Sequence, residues 1–190
     1  YKAVEKIYFR DELPAAITGF EKYLKTYPEG KYRSLATYYL ANCYYRQNQN
    51  DSALYVYRLL VKDAQNPNME TTLARAASLA YDAGKYQEAA TYFEQLHGIG
   101  NAEHKQAAAL GMLRCWNLLN QYNKTIDAAN DLIEAYAGNA DMVAEARYNR
   151  MKAYVALNKV DEALPDIKAL ATDTRSEAGA EAKYRLAQYY

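Results

Sequence analysis

The side chains with the widest catalytic repertoire in this sequence are two histidines and two cysteines. His97 and His104 fall in or beside a glycine-containing connection, and neither has a cysteine or aspartate at metal-ligand spacing. Motifs for a zinc protease, a phosphate-binding loop, a nucleophile elbow or a dinucleotide fold do not occur. We therefore predict surface histidines, no metal, no cofactor and no catalytic residue, so the chain is not expected to be an enzyme.

Cys43 and Cys115 are 72 residues apart, at equivalent places two repeats apart in the pattern described below. Helices pack about 8–10 Å apart, so four helix spacings exceed the ~7 Å that a disulfide can bridge. We expect both cysteines to be small buried hydrophobic residues.

The 21 tyrosines are the other versatile group, because a tyrosine ring stacks while its hydroxyl forms hydrogen bonds. Tyr44 and Tyr57 fall at predicted packing positions. Tyr45 and Tyr81 come one residue after such a position, about 100° further round a helix. Tyr38 lies seven residues before Tyr45 and shares its stripe. This stripe could stack on a sugar or bind a peptide.

The elements that position these side chains are repeated helical hairpins. Asp11, Asn48, Gly84, Asn120 and Asn158 recur at spacings of 37, 36, 36 and 38 residues. Each is a residue type that tolerates the left-handed conformation with which many helices end. The spacing predicts five helix–turn–helix units and the first helix of a sixth, which begins near Ala180. Pro165 lies early in the second helix of the fifth unit and predicts that this helix starts late or bends.

Packing residues recur at fixed offsets from these turn residues, on one face of each helix. Five residues later come Ala16, Ala53, Ala89, Thr125 and Ala163. Nine residues later come Phe20, Tyr57, Phe93, Ala129 and Ile167. Seven residues earlier come Val4, Ala41, Ala77, Leu113 and Met151. The fourth unit lacks an aromatic residue at Ala129, and we expect Trp116 to fill that space.

Composition and charge exclude other classes. Basic and acidic residues balance at 23 each with no block of either sign, so no nucleic-acid footprint is present. No stretch is long and apolar enough to span a bilayer. The chain begins at Tyr1 rather than at a methionine and stops at Tyr190 within a helical pattern. We therefore expect a fragment of a longer protein.

The segment from Tyr81 to Phe93 resembles the central signature of the tetratricopeptide repeat (TPR) family. Residues 27–32 and 36–41 are similar to the slightly long repeats of bacterial envelope proteins, such as the Tol-Pal coordinator and the outer-membrane assembly lipoprotein. The resemblance implies an all-α fold, a right-handed superhelical TPR-like α-solenoid whose first helices line a concave groove. It also implies protein partners and a periplasmic or envelope location, with a cytoplasmic one still open.

The family's groove positions map onto the first helices of units two to six. They are Tyr38, Asn42, Tyr45, Arg46, Ser78, Tyr81, Asp82, Arg114, Asn117, Tyr148, Lys152, Tyr184 and Gln188. The family's two-carboxylate clamp is matched by Asn42 only, because Tyr38 replaces a lysine and Arg75 an asparagine. We therefore expect no binding to acidic chaperone tails.

The predicted organisation is one array over residues 1–190, with units at about 1–30, 31–67, 68–103, 104–140, 141–176 and a partial sixth at 177–190. We expect a non-catalytic scaffold that binds protein segments. Two alternatives remain open: a glycan- or peptide-capturing module of an envelope uptake system, and a regulatory arm of an enzyme or signalling protein. Exposed repeat ends also predict end-to-end self-association.

Overall fold

All regular secondary structure in residues 1–173 and 175–190, which this computed structural model describes, is helical. Within that range there are eleven α-helices and no strand. They are α1 (Lys2–Phe9), α2 (Leu13–Thr26), α3 (Arg33–Arg46), α4 (Asn50–Val61), α5 (Met69–Asp82), α6 (Tyr86–Ile99), α7 (Ala102–Leu118), α8 (Tyr122–Ala135), α9 (Ala140–Ala156), α10 (Val160–Leu170) and α11 (Glu177–Tyr189). Along the described helices, none combines the length and apolar character needed to cross a bilayer.

The helices form two compact units, Tyr1–Gly100 and Asn101–Tyr190. The first unit contains the hairpins α1–α2, α3–α4 and α5–α6. The second contains α7–α8 and α9–α10, followed by α11, which packs on α10. The predicted fold class is therefore present as a succession of antiparallel helix pairs, while the predicted boundaries of the individual repeats stay a prediction.

Every predicted turn residue has a positive φ. The angles are 66° at Asp11, 57° at Asn48, 72° at Gly84, 55° at Asn120 and 57° at Asn158. In each turn the next residue donates its N–H to the carbonyl four residues before the turn residue, as in Gln49 to Tyr44 at 2.9 Å. This is the six-to-one bond of a Schellman motif, which satisfies a carbonyl at the end of the first helix.

The predicted packing positions form the cores of the hairpins. The small residue of each second helix is fully buried in all five hairpins, including Thr125 in the fourth. A side chain this small allows close approach of the two helices. Four residues further on, Phe20, Tyr57 and Ile167 are also fully buried, while Phe93 is half-buried. The turn spacing and the apolar offsets therefore describe the same hairpin.

The fourth hairpin fills its core differently from the prediction. Leu113 and Ala129 share one buried cluster with Leu132, Met142 and Ala146. In this hairpin the large side chain comes from the first helix and the small one from the second. The second hairpin has the reverse order, with the small Ala41 on its first helix and the large Tyr57 on its second. Leu113, rather than Trp116, is the residue that compensates for Ala129 in this cluster.

Two predicted helix starts differ from those observed. Pro165 was expected to delay α10 or bend it, yet α10 begins at Val160, two residues after its turn residue like every other second helix. The Asn158 turn sets this start, and Ala163 donates to the carbonyl of Lys159. The last helix begins at Glu177 rather than near Ala180, because Ser176 caps it by accepting from the N–H of Gly179. Thr174, in the predicted connection before α11, lies outside the described residues.

Candidate functional site

The centre of the predicted groove in the first unit is a polar contact between α3, α4 and α5. The Tyr57 hydroxyl donates to the Asn42 Oδ1 at 2.7 Å, and Arg75 Nη1 donates to the same oxygen at 2.9 Å. Arg75 Nη1 also lies 3.2 Å from the Tyr57 hydroxyl oxygen. Burial raises the pKa of Tyr57 to about 12, and Arg75 opposes this rise. Asn42 was predicted to face a partner, but it is only 4% exposed. Its side chain instead orients Arg75.

Arg75 also stacks on Tyr45. Its guanidinium carbon lies 4.7 Å from the centroid of the Tyr45 ring, which is cation–π distance. Tyr45 is 38% exposed. Among the described residues, no carboxylate forms an ion pair with Arg75. Its pKa is influenced by burial and by the neighbouring tyrosines Tyr38, Tyr45 and Tyr57. Arg75 is therefore a half-buried cation without a counter-charge.

The other predicted tyrosines of the first unit are less exposed. Tyr38 is half-buried, with its ring centroid 5.9 Å from that of Tyr39. Tyr81 is half-buried and packs edge-on against Tyr86, with the centroids 5.4 Å apart. A row of three fully exposed rings is therefore not formed, and Tyr45 is the open member of the stripe.

The predicted polar residues of the first unit lie on α3 and α5. Arg46 pairs with Asp11, the turn residue of the first hairpin, and its guanidinium lies 5.8 Å from the ring centroid of Tyr8. Ser78 and Asp82 are exposed on α5. We call the surface of α3 and α5 that carries Tyr45 and Arg75 the first-helix face.

In the second unit, the predicted groove residues link successive first helices. Arg114 of α7 forms a two-point ion pair with Glu145 of α9. The Tyr148 hydroxyl of α9 donates to Glu181 of α11 at 2.7 Å, and this bond together with burial raises the pKa of Tyr148 to about 12. Lys152 lies over the Tyr148 ring at 5.2 Å.

The remaining predicted residues of the second unit are Asn117, Tyr184 and Gln188. Asn117 is half-buried, and its carbonyl accepts from the Asn120 N–H at 3.0 Å. Tyr184 is 65% exposed, and its hydroxyl accepts from Gln188 at 2.9 Å. Tyr184 and Gln188 are thus exposed and bonded to each other, whereas Asn117 is partly buried on α7.

The histidines and cysteines lie on α3, α6 and α7. His97 is exposed in the last turn of α6, and His104 is half-buried in the first turn of α7. Within the described residues, no group of three or more His, Cys, Asp or Glu side chains could hold a metal ion. Both cysteines are buried and unpaired, and burial raises the pKa of each thiol to about 11.

Sequence reasoning missed two features. It noted Arg75 only as a departure from the clamp, although a lone arginine between aromatic positions could have indicated an anion site. It also missed a cavity of about 870 Å³ in the first unit, bounded by α2, α3 and α4. Its signal is the pair Tyr55 and Leu59, one turn apart on α4 and 62% and 50% exposed.

Comparisons with a family model, with curated proteins and with solved structures show what this chain is similar to. Residues 35–66, which contain most of α3 and all of α4, match the family model described as "Tetratricopeptide repeat". A comparison with curated proteins found no match. Among solved structures, YrrB, described as a TPR protein with an unusual peptide-binding site, is similar with a TM-score of 0.69 at 15% identity, over 95% of this chain and 88% of YrrB.

Two further solved structures show the same likeness. MamA is similar with a TM-score of 0.61 at 16% identity, over 98% of this chain and 91% of MamA. A tetratricopeptide repeat protein from Parabacteroides merdae is similar with a TM-score of 0.56 at 18% identity, over 99% of this chain and 85% of that protein. These likenesses confirm the predicted fold class, a TPR-like α-solenoid, and with the repeat match they support the TPR family, whose fold generally mediates protein–protein interactions.

Proposed function

We propose that this chain is a non-catalytic scaffold that binds a segment of a partner protein on the first-helix face of its first unit. The observation that carries the proposal is Arg75, a half-buried guanidinium that has no carboxylate partner in the described part of the chain. Its aromatic neighbour Tyr45 is 38% exposed. Arginine and tyrosine are the residue types that dominate binding energy at protein interfaces.

Arg75 favours a partner that carries an aspartate or glutamate. A guanidinium has five N–H donors, and the bonds to Asn42 and Tyr57 both use Nη1. The remaining donors suit two-point binding of a carboxylate, which is stronger than a neutral hydrogen bond. Arg75 is a single fixed cation, and the Asn42 oxygen already accepts hydrogen bonds. The proposal therefore keeps the expectation that the two-carboxylate clamp is absent.

Protein binding is supported over sugar capture by the state of the tyrosines. Stacking on a sugar needs open ring faces, whereas one face of Tyr45 is covered by Arg75 and Tyr81 packs on Tyr86. The description of YrrB as having a peptide-binding site supports the same class of ligand. A role as a regulatory arm is compatible with this proposal, because such an arm also acts by binding a protein segment.

An envelope or periplasmic location, suggested by the sequence of the first two repeats, remains part of the proposal. Fractionation of the source organism with an antibody against the chain tests it. Recovery in the periplasmic or membrane fraction is the expected result, and recovery with cytoplasmic markers would contradict it.

The binding proposal is tested by photo-crosslinking followed by titration. A photoreactive amino acid in place of Tyr45 captures the partner, and mass spectrometry locates the crosslinked segment. Calorimetry then compares the synthetic segment with the wild-type chain and with Arg75→Gln, Tyr45→Ala and the control Tyr184→Ala. We expect the first two changes to weaken binding by about tenfold or more.

The acidic residue in the partner provides an independent check. Replacing it by its amide should weaken binding to the wild-type chain but not to Arg75→Gln, because the two changes remove the same ion pair. Equal affinity of the wild-type chain and Arg75→Gln, with circular dichroism showing both folded, would contradict the proposed site.

A further inference from the structure

A second groove lies between the first two hairpins of the same unit. Its walls are α2 and α4 and its floor is α3, with a volume of about 870 Å³. Leu24 and Pro28 line one wall, Leu40 the floor, and Tyr55 and Leu59 the other wall. We call this cavity the α4 groove. Its size is within the range of ligand-binding clefts, and its lining is largely apolar.

The exposed apolar residues of the groove are specific to one repeat. Tyr55 and Leu59 stand seven and eleven residues after the turn residue Asn48. The same two positions are also exposed in the other second helices. There they hold Thr18 and Lys22 in α2, Thr91 and Gln95 in α6, Asp127 and Asp131 in α8, and Pro165 and Ala169 in α10. The repeat fold therefore does not require large apolar residues at these positions, and their presence on α4 needs another cause.

Charges at the two ends of the groove differ. At one end Glu21 accepts a hydrogen bond from Tyr44 and lies with Asp51 among the lining residues, with no basic residue there. At the other end Arg33 pairs with Asp63, and Lys62 adds one uncompensated positive charge. The groove is thus acidic at one end and basic at the other. From Asp51 to Lys62, α4 rises about 16 Å, or about three helical turns.

From this pattern we propose that the α4 groove is a second docking site, which takes an amphipathic helix of a partner protein. The partner helix is about three turns long and places apolar side chains at i, i+4 and i+7 against Tyr55 and Leu59. Its lysine or arginine residues meet Glu21 and Asp51, and its aspartate or glutamate meets Lys62. This site is independent of Arg75 and Tyr45, so the two surfaces can hold two segments at once.

A second copy of the chain fits the groove less well than a partner helix. The equivalent exposed positions of the other second helices are mostly polar, so a copy could present a matching apolar surface only through its own α4 groove. Two concave surfaces facing each other leave unfilled space, whereas stable interfaces are closely packed. A convex helix fills the groove.

The test uses synthetic helices as probes, since the partner is not identified. One stapled peptide of about 12 residues carries leucines at i, i+4 and i+7, two lysines in its first turn and two glutamates in its last. A second peptide has the lysines and glutamates exchanged. Fluorescence polarisation measures the binding of each peptide to the wild-type chain. We expect one of the two peptides to bind at least about fivefold more tightly than the other, because the groove has opposite charges at its ends.

The protein variants take their substitutions from the chain's own repeats. Tyr55→Thr with Leu59→Gln installs the residues that α6 carries at the same exposed positions, so folding is preserved. Thr91→Ala with Gln95→Ala, which changes those same positions on α6, serves as the control. We expect the double variant to lose at least about tenfold in affinity and the control to bind normally. Failure of both peptides to bind, or equal binding to the double variant, would overturn the proposal. So would a wild-type dimer in sedimentation that dissociates in the double variant, because a second copy would then occupy the groove.

Discussion

Two nitrogens of Arg150 each lie 2.7 Å from a carboxylate oxygen of Asp166, and this two-point ion pair joins α9 to α10. Asp166 is 1% exposed, and Arg147 adds a longer contact of 3.3 Å to it. At the same repeat positions, eight residues before and eight after the turn residue, the second hairpin has Leu40 and Val56, both 6% exposed. A buried ion pair thus replaces an apolar pair in the fifth hairpin.

Removing one member of this pair should destabilise the second unit strongly. Asp166→Ala leaves Arg150 and Arg147, whose side chains are 19% and 32% exposed, without their carboxylate. Because these cations are only partly buried, we expect a cost of about 1–3 kcal/mol. Urea unfolding of the variant measures the change in the free energy of unfolding. Glu145→Gln, which removes the more exposed pair with Arg114, serves as the matched control and should cost no more than about 1 kcal/mol.

The double change Arg150→Leu with Asp166→Val introduces the residue types that the second hairpin has at these two positions. Because desolvation opposes a buried ion pair, we expect this variant to be close to the wild-type chain in stability or above it. A loss as large as that of Asp166→Ala would show that the ion pair itself, and not the avoidance of an unpaired charge, stabilises the hairpin.

Leu113 and Ala129 form a large–small pair that the second hairpin has in the reverse order as Ala41 and Tyr57. Leu113→Ala should cost about 2–5 kcal/mol by leaving a cavity, and Ala129→Phe about 1–3 kcal/mol by overpacking. The double variant should lose less than the sum, because the phenylalanine fills the space vacated by leucine. Additive losses in urea unfolding would mean that the two side chains do not share one volume.

The hairpins were predictable because their signals are local. Asp11, Asn48, Gly84, Asn120 and Asn158 all require the same backbone conformation, and such a requirement shows directly in residue type. The choice between Leu113 and Trp116 was not predictable, because both are large and lie three residues apart on the same helix. Only the contacts of Ala129 decide which of them shares its cluster.

Gly84 and Gly98 should respond oppositely to alanine. An added Cβ would meet no atom within 4 Å at either position, but Gly84 has a φ of +72° and Gly98 lies inside α6. Gly84→Ala should therefore cost about 1–2 kcal/mol from backbone strain, whereas Gly98→Ala should stabilise by up to about 1 kcal/mol. Thermal unfolding of the two variants gives the two signs, and a loss of stability in both would contradict this assignment.

The candidate site was less predictable than the fold. The family's groove positions identified Tyr45 as exposed, but not that Asn42 would be buried under Arg75. Burial of a polar side chain depends on partners from other helices, here Tyr57 and Arg75, which lie 15 and 33 residues further along the chain. The α4 groove was missed for the same reason, since its two walls, α2 and α4, come from different hairpins.

The buried thiols should make the chain less stable in alkali. Burial raises the pKa of Cys43 and of Cys115 from 9.0 to about 11, because the folded protein disfavours the charged thiolate. The folded state therefore retains these protons over a range in which the unfolded state releases them. Their contribution to stability is complete below about pH 9 and is lost as the pH rises towards 11, by up to about 1.4 kcal/mol per pH unit for each thiol.

Urea unfolding between pH 7 and pH 11 measures this loss. The control is the variant Cys43→Ala with Cys115→Ala, which lacks both thiols but retains Tyr57 and Tyr92, whose pKa values are raised to about 12. We expect the wild-type chain to lose more stability than this variant between pH 9 and pH 11. Equal pH profiles of the two proteins would mean that the thiols ionise in the folded state as readily as in the unfolded chain.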